Sequence, residues 1–387
     1  MSHINSIFNQ LLQFIPSQVF EKAVSTYSGD YYTKYFSSWQ QFLILLYAQA
    51  KDKDSLRDII TSLLANQNNW YHIGLKDIRR STLSYAMNKR DYRIFEEIFY
   101  SLLSQCKDVT PKHKFRFKNP LYSIDASVID LCLAVFPWAK FRRKKGAIKI
   151  HCLLNHSGCL PDFLVITDGK QHEIKVAKNE DFPFLSDSII SMDRAYIDYK
   201  WLYKLNKRHI WFVTRAKKNM KYEIIGQQET NEKKGIIWDK SIRLTGYYKQ
   251  KDYPDKLRLI KYKDKETGKM LIFLTNNFQL SAYTITQIYK SRWQIEIFFK
   301  WIKQNLKIKS FLGTSKNAVL SQIWVAMCYY LLLTYIKYQT KYTYSLLELT
   351  RLISEALFMR RNLIDLLSLN TKLLKRIRDP VPQLSLF

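Results

Sequence analysis

Apolar residues in the first hundred positions recur at three and four residue intervals, in Ile7 to Phe14, Trp39 to Tyr47 and Leu56 to Leu64. That spacing predicts helices with one buried face. From Leu56 through RDIITSLLANQNNWYHIGLKDIRRSTLSYAMNKR, helical segments alternate with Asn-rich and Gly-containing turns. The stretch reads as a helix-turn-helix, in which Ser81 or Thr82 caps a second helix carrying Arg79, Arg80, Lys89 and Arg90 near its ends. After Cys106 the chain turns polar, basic and proline-punctuated, a linker that ends at Pro120.

Beyond the linker the pattern becomes strand-like. LYSIDAS is a short apolar run, and AIKIHCLLN and CLPDFLVIT flank a turn at His156-Ser157-Gly158. A mixed helical segment, a strand SIISMD, a helix from Tyr196 to Lys207 and a strand HIWFVTRA follow. A hairpin followed by crossover units predicts an α/β fold with an RNase H-like catalytic core. Short β-prone runs from Lys217 to Asn277, separated by Gly, Asp and Lys turns, predict a β-rich insertion. A long helix from Thr284 to Asn305 comes next. The expected layout is a helical N-terminal domain over 1–106 and core segments over 120–216 and 278–340 around an insertion at 217–277. A helical C-terminal tail over 341–387, a candidate dimerisation element, completes it.

Composition narrows the function. The chain of 387 residues carries 62 Lys+Arg against 33 Asp+Glu, a formal net charge of +29, with 15% aromatic residues. A chain so aromatic can offset its folding entropy, which excludes a disordered basic tail and leaves a folded protein with a polyanionic partner. Ala318 to Ile336 has no charge, but it holds Ser321, Gln322, Thr334 and three tyrosines and has no second segment like it. It reads as a core helix rather than a membrane span. The first residues lack the basic and continuous apolar regions of a secretory signal, and five cysteines form no CxxC pair, so a cytoplasmic, nucleoid-associated location is expected. His151, Cys152, His156 and Cys159 fit no standard zinc spacing, and buried strand thiols are the better reading.

The most informative stretch is YKSRWQIEIFFKWIK. On a continuous helix Tyr289, Arg292, Glu296 and Lys303 share one arc, beside an apolar arc of Ile288, Ile295, Phe299 and Ile302. A solvated stripe of ion pairs would look the same. The bulk of Trp293, Phe298, Phe299 and Trp301 instead suggests an enclosed groove, which suits a carboxylate that meets a metal-bound phosphodiester. Asp125 and Asp193 follow apolar runs at the expected ends of strands. Together with Glu296 they make the kind of set that two-metal phosphodiester chemistry needs, hard oxygens from separate elements. Asp130, Asp168 and Asp198 are the acids against which that choice is tested. The cluster Lys140, Phe141, Arg142, Arg143, Lys144, Lys145 has five charges and no acid, and reads as a phosphate-tracking patch extended by Arg215, Lys217 and Lys218.

These motifs resemble the bacterial insertion-sequence transposases of the DDE class, in the insertion-sequence-four family with its Tyr-x2-Arg-x3-Glu-x6-Lys signature. Tyr289, Arg292, Glu296 and Lys303 reproduce that spacing, SIDAS around Asp125 and MDRAYIDY around Asp193 resemble the first and second catalytic blocks, and FVTRAKKN and FLTNN resemble flanking strands. Ala126 departs from the Gly or Ser frequent there. The resemblance spans residues 120 to 335. It implies cut-and-paste transposition by a homodimer that binds terminal inverted repeats of double-stranded DNA and uses two Mg²⁺ ions, with Mn²⁺ as a substitute. Asp125, Asp193 and Glu296 would be the catalytic metal ligands. Tyr289, Arg292 and Lys303 would hold the DNA strand, with Arg194 counted among the DNA contacts. Trp293 would either stack on a displaced base or pack in the core. The alternatives are a metal-dependent nuclease without strand transfer and a non-catalytic regulator derived from a transposase.

Overall fold

The computed structural model describes residues 5–368 except 77, 143, 144, 181 and 231. The chain divides into two units, Met1–Thr110 with Asn305–Phe387, and Pro111–Gln304.

The first unit is helical. Seven helices lead it: α1 (Ile7–Leu12), α2 (Ser17–Thr26), α3 (Ser38–Ala50), α4 (Leu56–Leu64), α5 (Trp70–Ile73), α6 (Arg80–Lys89) and α7 (Arg93–Val109). Local chemistry sets several starts: Ser6, Ser37 and Ser55 each accept a backbone N–H of the first turn, and Gln40 completes a capping box at α3. Neither Ser81 nor Thr82 caps α6. The helix begins earlier, with Arg79 at its N-cap and no side-chain cap bond, so Ser81 and Thr82 fall inside its first turn, and Leu83, Ala86 and Met87 are its buried residues.

The second unit is built on one ten-stranded sheet: β1 (Leu121–Leu131), β2 (Lys140–Arg142), β3 (Lys145–Asn155), β4 (Leu160–Asp168), β5 (Ile189–Met192), β6 (Trp211–Arg215), β7 (Tyr222–Gln228), β8 (Ile236–Leu244), β9 (Leu257–Lys263) and β10 (Met270–Thr275). The order is β2-β3-β1-β5-β6-β10-β9-β8-β7, with β4 paired to β3. Strands β1, β5 and β6 are parallel and the other pairs antiparallel, giving an α/β fold with a large mixed sheet. The segment read as an insertion extends this sheet, since β10 pairs with β6 through Phe273 to Thr275.

Period-two alternation covers both faces. Tyr122, Ile124, Ile190 and Phe212 face a core shared with α8 (Glu173–Asn179), α9 (Tyr199–Lys207) and Tyr253, which closes α10 (Tyr247–Asp252). Leu121, Ile189, Val213, Ile260 and Phe273 face the opposite way, onto Ile285 and Ile288 of α11 (Ala282–Ser291). The expected long helix is therefore two, α11 and α12 (Trp293–Asn305), joined at Arg292.

The chain then returns to the first unit. There α13 (Lys316–Gln339) packs on α7, α3 and α6, followed by α14 (Leu346–Ala356). The expected core segment 278–340 is thus divided at residue 305. Among the described residues α13 alone is long and apolar enough to cross a membrane, and its side chains from Ala318 to Thr334 are buried inside the unit. Its Leu, Ile, Val and Met side chains are each worth about 1.5–3 kcal/mol on burial. That makes α13 the central post of this core.

Candidate active site

Strand register places the two aspartates. The parallel pairing of β1 with β5 runs from Leu121↔Ile189 to Ile124↔Met192, so Asp125 and Asp193 are the next residue on each chain, at one level. Asp193 does follow the end of its strand. Asp125 does not, because β1 continues to Leu131 on the antiparallel ladder of β3. By alternation from Leu121, Asp125 lies on the α11 face of the sheet.

A chain of polar contacts positions α11. Buried Arg258 on β9 donates to Asp239 Oδ1 and Oδ2 on β8 at 2.9 and 2.6 Å, and to the carbonyls of Asn277 and Leu280 at 3.1 and 2.7 Å. Asn276 Oδ1 accepts the Phe212 N–H (2.8 Å), tying the loop after β10 to β6. Ser281 then caps α11 by accepting from Thr284 N–H. Lys290 pairs with Asp264 at 3.1 Å. These contacts seat the start of α11 against the sheet, and Arg292 stands at its C-cap.

Arg292 reaches back to the sheet. Its Nη1 donates to Asp125 Oδ2 (3.1 Å) and its Nη2 to Glu296 Oε1 (2.6 Å), while its guanidinium lies 5.7 Å from the ring centroid of Tyr289. The side chain is largely buried, and its Nε has no hydrogen-bond partner. The junction supplies this reach. The i to i+3 bonds Arg292 N–H to Tyr289 O and Ile295 N–H to Arg292 O let the two helices meet at Arg292, where one continuous helix would have run straight through.

Burial pushes the Asp125 carboxyl up to about 6; the Ala126 N–H at 2.8 Å and Arg292 oppose the rise, and Asp193 and Glu296 add to it. The three acids therefore share one electrostatic environment. Asp193 accepts the Ala195 N–H at 2.7 Å, and its carbonyl accepts from the buried Thr214 hydroxyl at 3.1 Å. Burial also raises Tyr289, against the pull of Arg292 and Arg215.

The donor chemistry suits divalent cations, hard carboxylate oxygens supplied by β1, by the end of β5 and by the first turn of α12, two of them bridged by the Arg292 guanidinium. Among the described residues no three His, Cys, Asp or Glu side chains stand close enough to ligate one ion together. The guanidinium occupies the space between Asp125 and Glu296 that a shared ion would need.

The other expected residues are dispersed. Lys303 is half-buried in the last turn of α12, and Arg194 is exposed beside Asp193. Trp293 is 59% exposed, which overturns the packing alternative, because it opens α12 on the side away from Ile295 and Phe299. Lys145 is exposed at the start of β3, and the backbone of Lys140 to Arg142 forms β2; Arg143 and Lys144 lie outside the described residues. The comparison acids have local duties. Asp198 caps α9 and pairs with Lys178 (2.5 Å), Asp168 accepts from Lys170 N–H (3.2 Å), and Asp130 is exposed.

Sequence reasoning missed the residues that orient the site. Ser123 Oγ lies 2.7 Å from His156 Nε2, and Cys159 Sγ donates to Gln294 Oε1 of α12 at 3.6 Å. The His/Cys group considered for zinc thus holds hydrogen bonds around β1 and α12, with Cys152 buried in β3.

Fold and site together define an α/β protein with a carboxylate cluster arranged around an arginine. Residues 116–332 match the transposase DDE domain family, and residues 3–76 match a domain family of unknown function (DUF4372). The chain is 30% identical over 285 residues to a putative transposase of Sinorhizobium fredii, covering 73% of this chain and 78% of that one. It is 28% identical over 278 residues to a probable insertion-sequence transposase of Geobacillus stearothermophilus, covering 69% and 70%. A putative insertion-sequence transposase of Synechocystis is 24% identical over 273 residues, covering 65% and 70%. A solved structure titled a piggyBac transposase synaptic complex with hairpin DNA covers 98% of this chain and 83% of that chain, at 12% identity and a TM-score of 0.49. The chain belongs to the DDE transposase family and is a bacterial enzyme of the insertion-sequence type.

Proposed function

We propose that the protein binds the terminal inverted repeats of a mobile element as a homodimer, cleaves the DNA ends and joins the 3′-hydroxyls to target DNA. The observation that carries this is the placement of Asp125 and Asp193 at one level of the sheet, with Arg292 linking Asp125 to Glu296. The large positive excess around these acids favours a polyanionic substrate such as DNA. The signature Tyr289, Arg292, Glu296 and Lys303 favours the insertion-sequence-four family, and the parallel strands with their antiparallel neighbour favour an RNase H-like core.

Asp125, Asp193 and Glu296 would hold two Mg²⁺ ions, or Mn²⁺ in their place. Bound cations supply a more acidic water or 3′-hydroxyl as nucleophile and neutralise charge on the leaving oxygen. The chain's own residues do the rest. Arg292 and Lys303 make charge-assisted contacts to phosphate, Tyr289 contributes its hydroxyl, and exposed Trp293 offers a face for a displaced base. Arg194 and the basic run from Lys140 to Lys145 guide the duplex towards the acids. This chemistry belongs to the bacterial cytoplasm, at the nucleoid. Incubating a precut element end with supercoiled target DNA and Mg²⁺ tests it: joined product is expected, and hydrolysis without joining would reduce the protein to a nuclease.

A further inference from the structure

The first unit holds a groove of about 930 Å³ that shares no residue with the carboxylate site. One wall is a face of α6, from which Arg79, Thr82, Tyr85 and Lys89 project at helical spacing. The other is the loop between α2 and α3, which carries Tyr31, Lys34 and Tyr35. Its tyrosines are strongly exposed, Tyr31 at 71% and Tyr35 at 82%, with the adjoining Tyr32 at 90%. Solvent exposure of so many rings in one short loop is unusual unless something covers them.

The loop is built, and the device is Arg90. Expected to lie on a DNA-facing helix end, Arg90 is instead buried, and its guanidinium donates to the carbonyls of Gly29 (2.9 Å), Ser37 (3.1 Å) and Phe36 and to Gln41 Oε1 (3.1 Å). Asp30, 3.6 Å from Arg90, accepts from the Ser38 N–H and hydroxyl. Among the described residues, the acids beside the groove are engaged within the fold: Asp30 as described, Asp91 by Arg93 at 2.5 Å, and Glu97, which accepts from the Tyr27 hydroxyl at 3.2 Å. Lys34, Arg79 and Lys89 are exposed and make no ion pair among the described residues.

We propose that this groove is a DNA-binding surface, in which Lys34, Arg79 and Lys89 contact the phosphodiester backbone and Tyr31, Tyr32 and Tyr35 pack on sugars and bases. The proposal rests on the transposase reading, and it gives a role to part of the domain of unknown function at residues 3–76. It commits to DNA because uncompensated cations interleaved with aromatic rings match the alternation of phosphate and base.

The test is fluorescence anisotropy of the full chain on a labelled random-sequence duplex across a salt series. Lys34→Ala/Arg79→Ala/Lys89→Ala should weaken binding at least about tenfold and flatten the log–log salt slope by about 2 to 3, the loss expected for three phosphate contacts. Tyr31→Ala/Tyr35→Ala should weaken binding about tenfold with the slope unchanged, because rings release no counterions. Lys22→Ala/Arg57→Ala/Lys316→Ala, an equal charge loss on exposed positions outside the groove, should leave affinity within about twofold. A wild-type chain that binds no duplex overturns both this proposal and the transposase reading. Wild-type binding that the groove variants match in affinity and slope overturns the groove alone. So does unchanged DNA binding with altered sedimentation of the DNA-free protein, which would make the tyrosines a self-association surface.

Discussion

His156 shows how a single buried side chain carries a cost that pH reveals. Burial, with a smaller contribution from His113, lowers its pKa from 6.5 to about 4, while it lies 2.7 Å from the Ser123 hydroxyl on the strand that bears Asp125. Between those two pH values the unfolded chain binds the extra proton, so the stability His156 contributes is complete above about pH 6.5 and is lost as pH falls towards 4. The loss is up to about 3 kcal/mol by the pKa difference. In His156→Gln, the drop in unfolding free energy between about pH 7 and about pH 4.5 should shrink by about 2 kcal/mol, measured by urea titration; an unchanged drop would assign the acid sensitivity elsewhere. At this scale the residues that meet around Arg292 were legible in sequence, but the packing was not. Asp125, Arg292 and Glu296 could be picked out by residue type and spacing. Nothing local distinguishes Arg90, which turns inward to backbone carbonyls, from its exposed neighbour Lys89, because the difference depends on a loop far earlier in the chain.

Elements are where the expectations shifted most. Spacing alone treats residues 284–305 as one helix, and the shared arc of the signature follows from it; the break at Arg292 changes the reason Tyr289, Arg292 and Glu296 meet, since the arginine now turns at a helix junction. Likewise Asp125 sits inside β1, and its alignment with Asp193 comes from the parallel register with β5, which no single strand encodes. The contacts that aim α11 are similarly non-local. Arg258 and Asp239 lie on neighbouring strands and are almost fully buried, so removing one partner leaves an uncompensated charge. Asp239→Ala should cost about 3–5 kcal/mol, whereas Arg258→Met/Asp239→Leu together should cost clearly less. Thermal unfolding of the three proteins checks this, and equal losses in the single and double variants would remove the pair from the account. Short apolar strands and Ser-capped helices, by contrast, were legible because their signals are local.

At the scale of the whole molecule, 62 Lys+Arg against 33 Asp+Glu leave a net charge of +29. Affinity for a random duplex should therefore fall about 10³-fold between about 50 and 200 mM salt, the loss for roughly six phosphate contacts. A salt-insensitive affinity would argue against backbone contacts. Composition forecast a polyanionic partner but not the chain's division. The return of α13 to the helical unit follows from a helix that is apolar on every side and needs a core on every side, and the β-rich stretch joins the main sheet because β6 offered β10 an unpaired edge. The central claim is that Asp125, Asp193 and Glu296 act as one cation-dependent cleavage centre. Its most direct test is a Mg²⁺-dependent cleavage assay on element ends with Asp125→Asn, Asp193→Asn and Glu296→Gln, run beside duplex binding by the same proteins. Each substitution should abolish cleavage, by at least about 10³-fold, while binding stays within about threefold; substantial cleavage by any one variant would contradict the claim for that residue.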